Sequence, residues 1–205
     1  MITHKLYFLL LKKITINYLN KIMITFIIPS LNRPTLERSI NSLVSQTNPN
    51  WECIVVYDGV DGISFNDDRI KTIKIDKLGG FSDHHGKSGL VRNEGIRLVN
   101  TEWIGFLDDD DSIHHKYVED LFTKYSNFDF VLWRMIYENG IVLPPLTSDQ
   151  IKFGQVGISF CFKNKFENLL FDNNRDGEDF DFIVKLKSLT NNWVVTPEIY
   201  YNINH

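Results

Sequence analysis

The chain is poor in cysteine: its 205 residues hold only Cys53 and Cys161. Each lies inside an apolar run, and neither belongs to a CxxC or Cys/His spacing, which argues against a disulfide scaffold or a zinc site. Both read as reduced core thiols. Long hydrophobic runs are also missing. The longest near the start, "LYFLLL" from Leu6 to Leu11, is far short of the ~20 residues of a membrane span. It lacks a small-residue cleavage site, so no secretory leader is expected and the cytoplasm is the default compartment. Positive charge is scarce as well. The net formal charge is −4, whereas a general nucleic-acid binder normally presents a basic surface. No nucleic-acid partner is expected.

What is present is a globular composition, 43% hydrophobic, enough for one ordinary domain with a sizeable core. Charge is uneven along it. Residues 1–22 carry Lys5, Lys12, Lys13 and Lys21 with no acid, leaving 18 basic against 26 acidic side chains after them. This N-terminal stretch reads as a basic extension. It is either an extra helix packed on the domain, an over-long start, or a membrane-surface anchor giving peripheral membrane contact.

From Met23 onward, short apolar runs alternate with helical patterns, as a βαβ architecture requires. "ITFII" is a buried strand stopped by Pro29. "TLERSINSLVSQT" is a helix with Leu36, Ile40, Leu43 and Val44 on its apolar face. "WECIVVYDG" and "RIKTIKI" are strands, and "GLVRNEGIRLVN" is a helix that carries Gly95 at some cost. "WIGFL" is the next strand. A helix near 114–125, the strand "FDFVLWRM", a hairpin at "YENGIVL" and the strand "QVGISFCF" follow. "GEDFDFIVKLKSL" is a helix with Phe182, Ile183, Leu186 and Leu189 on one face, and "WVVTPEIYYNINH" is a last strand.

One stretch raises a physical question. "WIGFLDDDDSIHH" sets Asp108, Asp109, Asp110 and Asp111 side by side after an apolar strand. Two carboxylates about 4 Å apart repel by ~1 kcal/mol in water and about four times that at a partly buried site. Something must offset that repulsion, and a bound cation is the first candidate. Open α/β sheets bind ligands at the carboxyl ends of their strands. Three such ends are polar here, Pro29-Ser30-Leu31-Asn32, Asp58-Gly59 and the aspartates, and they should converge on one crevice. In extended chain, Asp108 and Asp110 would share a face.

In order, "FIIPSLNR", "SLVSQT", "ECIVVYDGVD", "VRNEGI", "EWIGFLDDDD" and "GEDFDF" resemble the landmarks of family 2 of the inverting glycosyltransferases. The likeness covers nearly all of residues 23–205. It implies an α/β class of GT-A (Rossmann-like) nucleotide-diphospho-sugar transferase fold, a mixed, mainly parallel sheet flanked by helices. It also implies one domain over 23–205, with a nucleotide-binding half to 112 and an acceptor half from 113.

The resemblance further implies a nucleotide-sugar donor, usually a UDP-sugar, and a glycan or polysaccharide acceptor. By position, Asp58 would face the base, with Pro29, Ser30 and Asn32 beside the nucleotide. Tyr57 and Val60 depart from the family pattern, standing where Asp and Ser are common. Asp110, with Asp108, would join a Mn²⁺ or Mg²⁺ ion to the donor diphosphate, while Asp109 lies near the nucleotide or ribose. Asp111 with Ser112 would cap the next helix. Arg92 would reach the diphosphate or pair with an aspartate of the cluster. Asp179 would be the general base and Glu178 its positioning partner. His205 would complete the metal shell, although the arginine usual near it is replaced by Asn202 and Ile203. His84, His85 and Lys87 form a Gly-flanked loop that either touches diphosphate or is simply solvated.

Two rivals remain at the sequence level. "FLDDDDS" also fits the loop of haloacid-dehalogenase-type phosphatases, with Asp108 as nucleophile. A degenerate transferase domain that binds nucleotide or glycan without turnover is the other.

Overall fold

The computed structural model describes residues 23–78, 87–173 and 177–204. The N-terminal extension, the His84/His85 pair and His205 lie outside them.

Nine strands form one mixed sheet in the order β3-β2-β1-β4-β8-β6-β9-β5, with β7 paired to β6. β1 (Ile24–Ser30), β2 (Trp51–Asp58), β3 (Ile70–Ile75) and β4 (Trp103–Phe106) are mutually parallel. β8 (Phe160–Lys163) runs antiparallel between β4 and β6 (Phe130–Tyr137). β9 (Trp193–Ile203) runs parallel to β6 and antiparallel to the two-residue β5 (Ser112–Ile113).

Apolar runs dictate this order. β1, β2 and β4 are continuous hydrophobic stretches and occupy central places, buried on both faces, as parallel strands demand. β3 alternates Ile with Lys and Thr and takes the edge beyond β2. The "YENGIVL" hairpin forms between β6 and β7 (Val142–Leu143), its Gly140 at φ 81°. β9 tolerates Pro197, which has no N–H to donate, because the β6–β9 register is irregular between Leu132 and Met135.

α1 (Leu36–Val44) buries Leu36, Ser39, Ile40 and Leu43. Val44, expected on that face, is 48% exposed. α2 (Ser88–Ile96) is less regular: it buries Gly89, Val91, Arg92, Asn93 and Gly95, while Leu98 beyond it is exposed. Gly95 has a packing reason, since a Cβ there would lie 2.5 Å from Ile27 Cγ2 of β1. The expected helix near 114–125 is α3 (Tyr117–Asp120) running into a π-turn, Leu121–Tyr125. α4 (Glu178–Leu189) buries Phe182, Ile183 and Leu186 and leaves Leu189 in solvent.

Beneath α4, Phe182 stacks on Phe171 at 4.3 Å, and Phe106 meets Phe160, Phe171 and Phe182 edge-on. Trp133 and Phe160 are fully buried core residues. So are Cys53 and Cys161, both reduced thiols pushed up in pKa by burial. Among the described residues no helix is long and apolar enough to cross a membrane.

Candidate active site

The carboxyl ends of β1 and β2 and the turn after β4 open on one crevice of about 120 Å³, lined by Pro29, Ser30, Arg33, Asp58, Lys77 and Asp109 among others. Asp58 ends β2 at 5% exposure, where its Oδ1 accepts the Leu78 N–H at 2.6 Å and its Oδ2 lies 3.8 Å from Lys77 Nζ. Tyr57 turns the other way, as strand alternation requires. Its hydroxyl donates to Ile63 O at 2.9 Å, and a Cβ on Gly62 would lie 2.0 Å from its ring. Tyr57 therefore braces the 59–63 loop. Asn32 sits at φ 59°, a conformation Asn tolerates, and ties the first loop to the second by donating to Asp61 O.

The four aspartates do not continue the strand. β4 ends at Phe106, and the chain turns so that Asp111 N–H donates to Asp108 O at 3.2 Å. The turn overrides the alternation that would have put Asp108 and Asp110 on one face. Asp109 and Asp110 both meet the Arg33 guanidinium, Asp110 at 2.7 Å. Asp108 reaches away to Arg92 at 2.5 Å. Ser30 Oγ donates to Asp109 at 2.7 Å, and Asn32 N–H donates to Ser30 Oγ. Asp111 is buried and accepts Asn204 N–H, tying the turn to the chain's end. It does not cap a helix, because Ser112 begins β5 and α3 has no side-chain cap. Ser39 of α1, fully buried, donates to the carbonyls of Asp108 and Asp111. Arg38 donates to the carbonyl of Asp110. The repulsion in "DDDD" is thus offset by two guanidiniums and several N–H and O–H donors.

Arg92 is the second focus. At 3% exposure on α2, it meets Asp108 at 2.5 Å, Glu178 at 2.9 Å and Asp179 at 3.7 Å, with Phe171 below the guanidinium. Glu178 also accepts the Gly89 N–H at 3.0 Å through both oxygens, at the start of α2. Gly89 suits this close approach, since a Cβ there would lie 2.7 Å from the Phe171 Cβ as well as from Glu178 Oε2. Asn93 locks this region by bracketing the Phe171 peptide, donating to its carbonyl and accepting its N–H. Burial raises the Glu178 carboxyl, opposed by Arg92.

Asp179 is different in kind. Its Oδ1 is buried without a hydrogen-bond partner. Burial, opposed by Arg92 and reinforced by Asp108 and Glu178, pushes its pKa up to about 7. A carboxylate poised near neutrality beside charged partners is a candidate for acid–base chemistry. A Cβ added at Gly157 would lie in ordinary contact, 4.0 Å, with Asp179 Oδ2, so the segment around Gly157 flanks this carboxylate.

For a hard divalent cation the turn after β4 offers one partly exposed carboxylate that is not taken up by Arg92, Asp110. Asp110 presents a carboxylate at 17% exposure, paired with Arg33, which lines the crevice. Mg²⁺ and similar ions take one or two protein carboxylates and fill the remaining positions with phosphate oxygens and water. Among the described residues no group of three His, Cys, Asp or Glu is close enough to hold a metal by itself. Of the residues the sequence pointed to, Pro29, Ser30, Asp58 and Asp109 line the crevice, while Asp108, Glu178 and Asp179 gather round Arg92. The sequence did not single out Arg33, Arg38, Ser39 or Tyr201, whose hydroxyl accepts the Asp108 N–H at 3.1 Å. The only sequence signal for Arg33 was its place directly after the first strand's loop.

Residues 25–189 match the model of the family described as Glycosyl transferase family 2. The chain belongs to that family. The GT-A fold follows, and solved structures agree with it: TarS residues 1–349 of S. aureus in complex with UDP-GlcNAc superposes with a TM-score of 0.71 at 19% identity, over 90% of this chain and 59% of that one. The poly(ribitol-phosphate) beta-N-acetylglucosaminyltransferase TarP of Staphylococcus aureus is 24% identical over 88% of this family 2 chain and 62% of its own length. An uncharacterized glycosyltransferase of Rickettsia bellii is 30% identical over 80% of this chain and 26% of its own length. This family 2 chain therefore spans less than two thirds of the length of each of these three proteins.

Proposed function

We propose that this family 2 chain transfers a sugar from a nucleoside-diphosphate donor, of the UDP-sugar class, to a hydroxyl of a glycan or related polymer, with inversion. The observation that carries the reading is Asp179: a carboxylate whose buried Oδ1 accepts no hydrogen bond and lies 3.7 Å from Arg92, with a pKa pushed up to about 7, beside the Asp108–Arg92 pair. The UDP-GlcNAc complex of the TarS neighbour supports a uridine nucleotide in the crevice at Asp58.

Asp179 takes the proton from the acceptor hydroxyl as its oxygen attacks the anomeric carbon. The bond to the donor phosphate oxygen breaks on the opposite side, and the nucleoside diphosphate leaves. One displacement without a covalent enzyme intermediate inverts the configuration. A base of this kind contributes ~10²–10⁴-fold. Glu178 and Arg92 hold Asp179 in place, and Arg33 and Lys77 line the side where the diphosphate charge would sit. A Mn²⁺ or Mg²⁺ ion held by Asp110 would neutralise charge on the departing diphosphate, Asp108 being taken up by Arg92. Asp108 is committed to Arg92, which together with family membership sets the phosphatase reading aside.

The test is calorimetric titration with UDP, GDP and UDP-sugars, each with Mn²⁺ and with EDTA, on wild type and Asp110→Asn. Transfer is then assayed onto oligosaccharides and, because TarP is named for it, poly(ribitol phosphate). Metal-dependent UDP binding, lost in Asp110→Asn, with an inverted product is the expected result. Retention of configuration, or no nucleotide binding under any condition, would overturn it.

A further inference from the structure

The Arg33 contacts carry a consequence for how ligands enter the crevice. One guanidinium nitrogen holds Asp109 and the other holds Asp110 Oδ2 at 2.7 Å. The two carboxylates are not equivalent. Asp109 is 2% exposed, and Ser30 Oγ donates to its second oxygen at 2.7 Å, so it is fixed from both sides. Asp110 is 17% exposed, and among the described residues its side chain is held by Arg33, the Arg38 guanidinium holding its backbone carbonyl instead. The Arg33 side chain is half exposed and lines the crevice. Arg33 is therefore anchored at Asp109 and releasable at Asp110. A guanidinium is always charged and pairs with phosphate as readily as with carboxylate, in the same forked geometry.

We propose that Arg33 is an internal cation competing with a divalent metal for Asp110, so that metal binds well only when a nucleoside diphosphate is present to take over the freed Arg33 nitrogen. The inference rests on the donor-site reading above. In the donor-free protein the carboxylate already has a positive partner, and a metal ion must displace it. When the diphosphate arrives, Arg33 keeps its hold on Asp109 and turns its other nitrogen to a phosphate oxygen, which leaves Asp110 to the metal. Nucleotide and metal then bind cooperatively because a single side chain links their sites, and the linkage is reciprocal. Without Arg33 the metal no longer has a rival, and the nucleotide loses a phosphate ligand.

The experiment measures free Mn²⁺ by electron paramagnetic resonance, on the full chain, with and without saturating UDP. It compares wild type, Arg33→Gln, Arg33→Lys and Asp110→Asn, each checked for folding by circular dichroism. In wild type, UDP should strengthen Mn²⁺ binding about tenfold or more, within the usual range of coupling between sites. Arg33→Gln should bind Mn²⁺ without UDP about tenfold more tightly than wild type, and UDP should strengthen that binding less than it does in wild type. Arg33→Lys, a point charge without the fork, should fall between them, and it carries the test if the Gln variant does not fold. Asp110→Asn should lose both effects. The inference is overturned if Arg33→Gln and Arg33→Lys bind Mn²⁺ alone no more tightly than wild type while wild type still binds UDP with Mn²⁺; the donor reading survives that result. If wild type binds no UDP in any condition, the donor reading falls and this inference with it.

Discussion

Asp179 and Arg92 set opposite demands on one small volume. Burial keeps Asp179 protonated up to about pH 7, whereas an unfolded aspartate ionises near 3.9. The folded-state pKa is the higher one, so the folded protein binds this proton more tightly. This group's contribution to stability is fully present below the unfolded pKa and is lost as pH rises to about 7. We expect Asp179→Asn, which cannot ionise, to be less active by ~10²–10⁴-fold with UDP affinity unchanged. The same variant should melt higher than wild type at pH 8, and the gain should vanish near pH 4. Equal melting curves at pH 8 would contradict a costly buried charge. In wild type, kcat/KM should fall about tenfold per unit as pH drops below the Asp179 pKa. Arg92 lowers that pKa while Asp108 and Glu178 raise it. A lysine at position 92 cannot hold Asp108 and Glu178 with separate nitrogens. Arg92→Lys should therefore move the pH midpoint upward and destabilise the fold, readable in a pH–rate profile and a urea titration. An unshifted midpoint would show that Arg92 does not tune the base.

At the scale of elements, helices α2 and α4 matter because their starts meet. Glu178 at the start of α4 accepts the Gly89 N–H at the start of α2, and Arg92 closes the pair one turn on. An anion at a helix N-terminus is favoured by the helix dipole, so this contact also explains why a carboxylate is stable there. α2 itself is positioned by Gly95 against Ile27. In a free helix Gly→Ala gains about 1 kcal/mol. Here the new methyl would meet Ile27, which is fully buried in a central strand, and overpacking of that kind costs about 1–3 kcal/mol. The clash should win. Gly95→Ala should lower the urea midpoint and disturb Arg92, and an unchanged or raised midpoint would refute the close packing.

In the whole molecule, residues from both halves of the sheet share one hydrophobic core, with β8 bridging the donor-side strands to β6. UDP with its cation should therefore shift a single calorimetric transition. At 100 times its Kd the gain is about 2.7 kcal/mol, or roughly 2–4 °C per kcal/mol for a chain of this size. Two transitions, only one moved by UDP, would contradict a common core. Much of this architecture was legible beforehand, since strand-length apolar runs and helical spacing report burial that each segment must find. The sequence by itself determined the longer strands and helices, that Asp58 and the aspartates sit at strand ends, and that a carboxylate pair opens α4, but not the short β5 at Ser112–Ile113, where a helix cap was expected. Those features depend on neighbours a few residues apart, where periodicity and turn chemistry act. Only the tertiary structure decided which charges meet. The turn after β4 sends Asp108 to Arg92 and Asp109 with Asp110 to Arg33, partners 16, 76 and 77 residues away. Ionic pairing follows distance in space, and chain order says nothing about that until the sheet has closed.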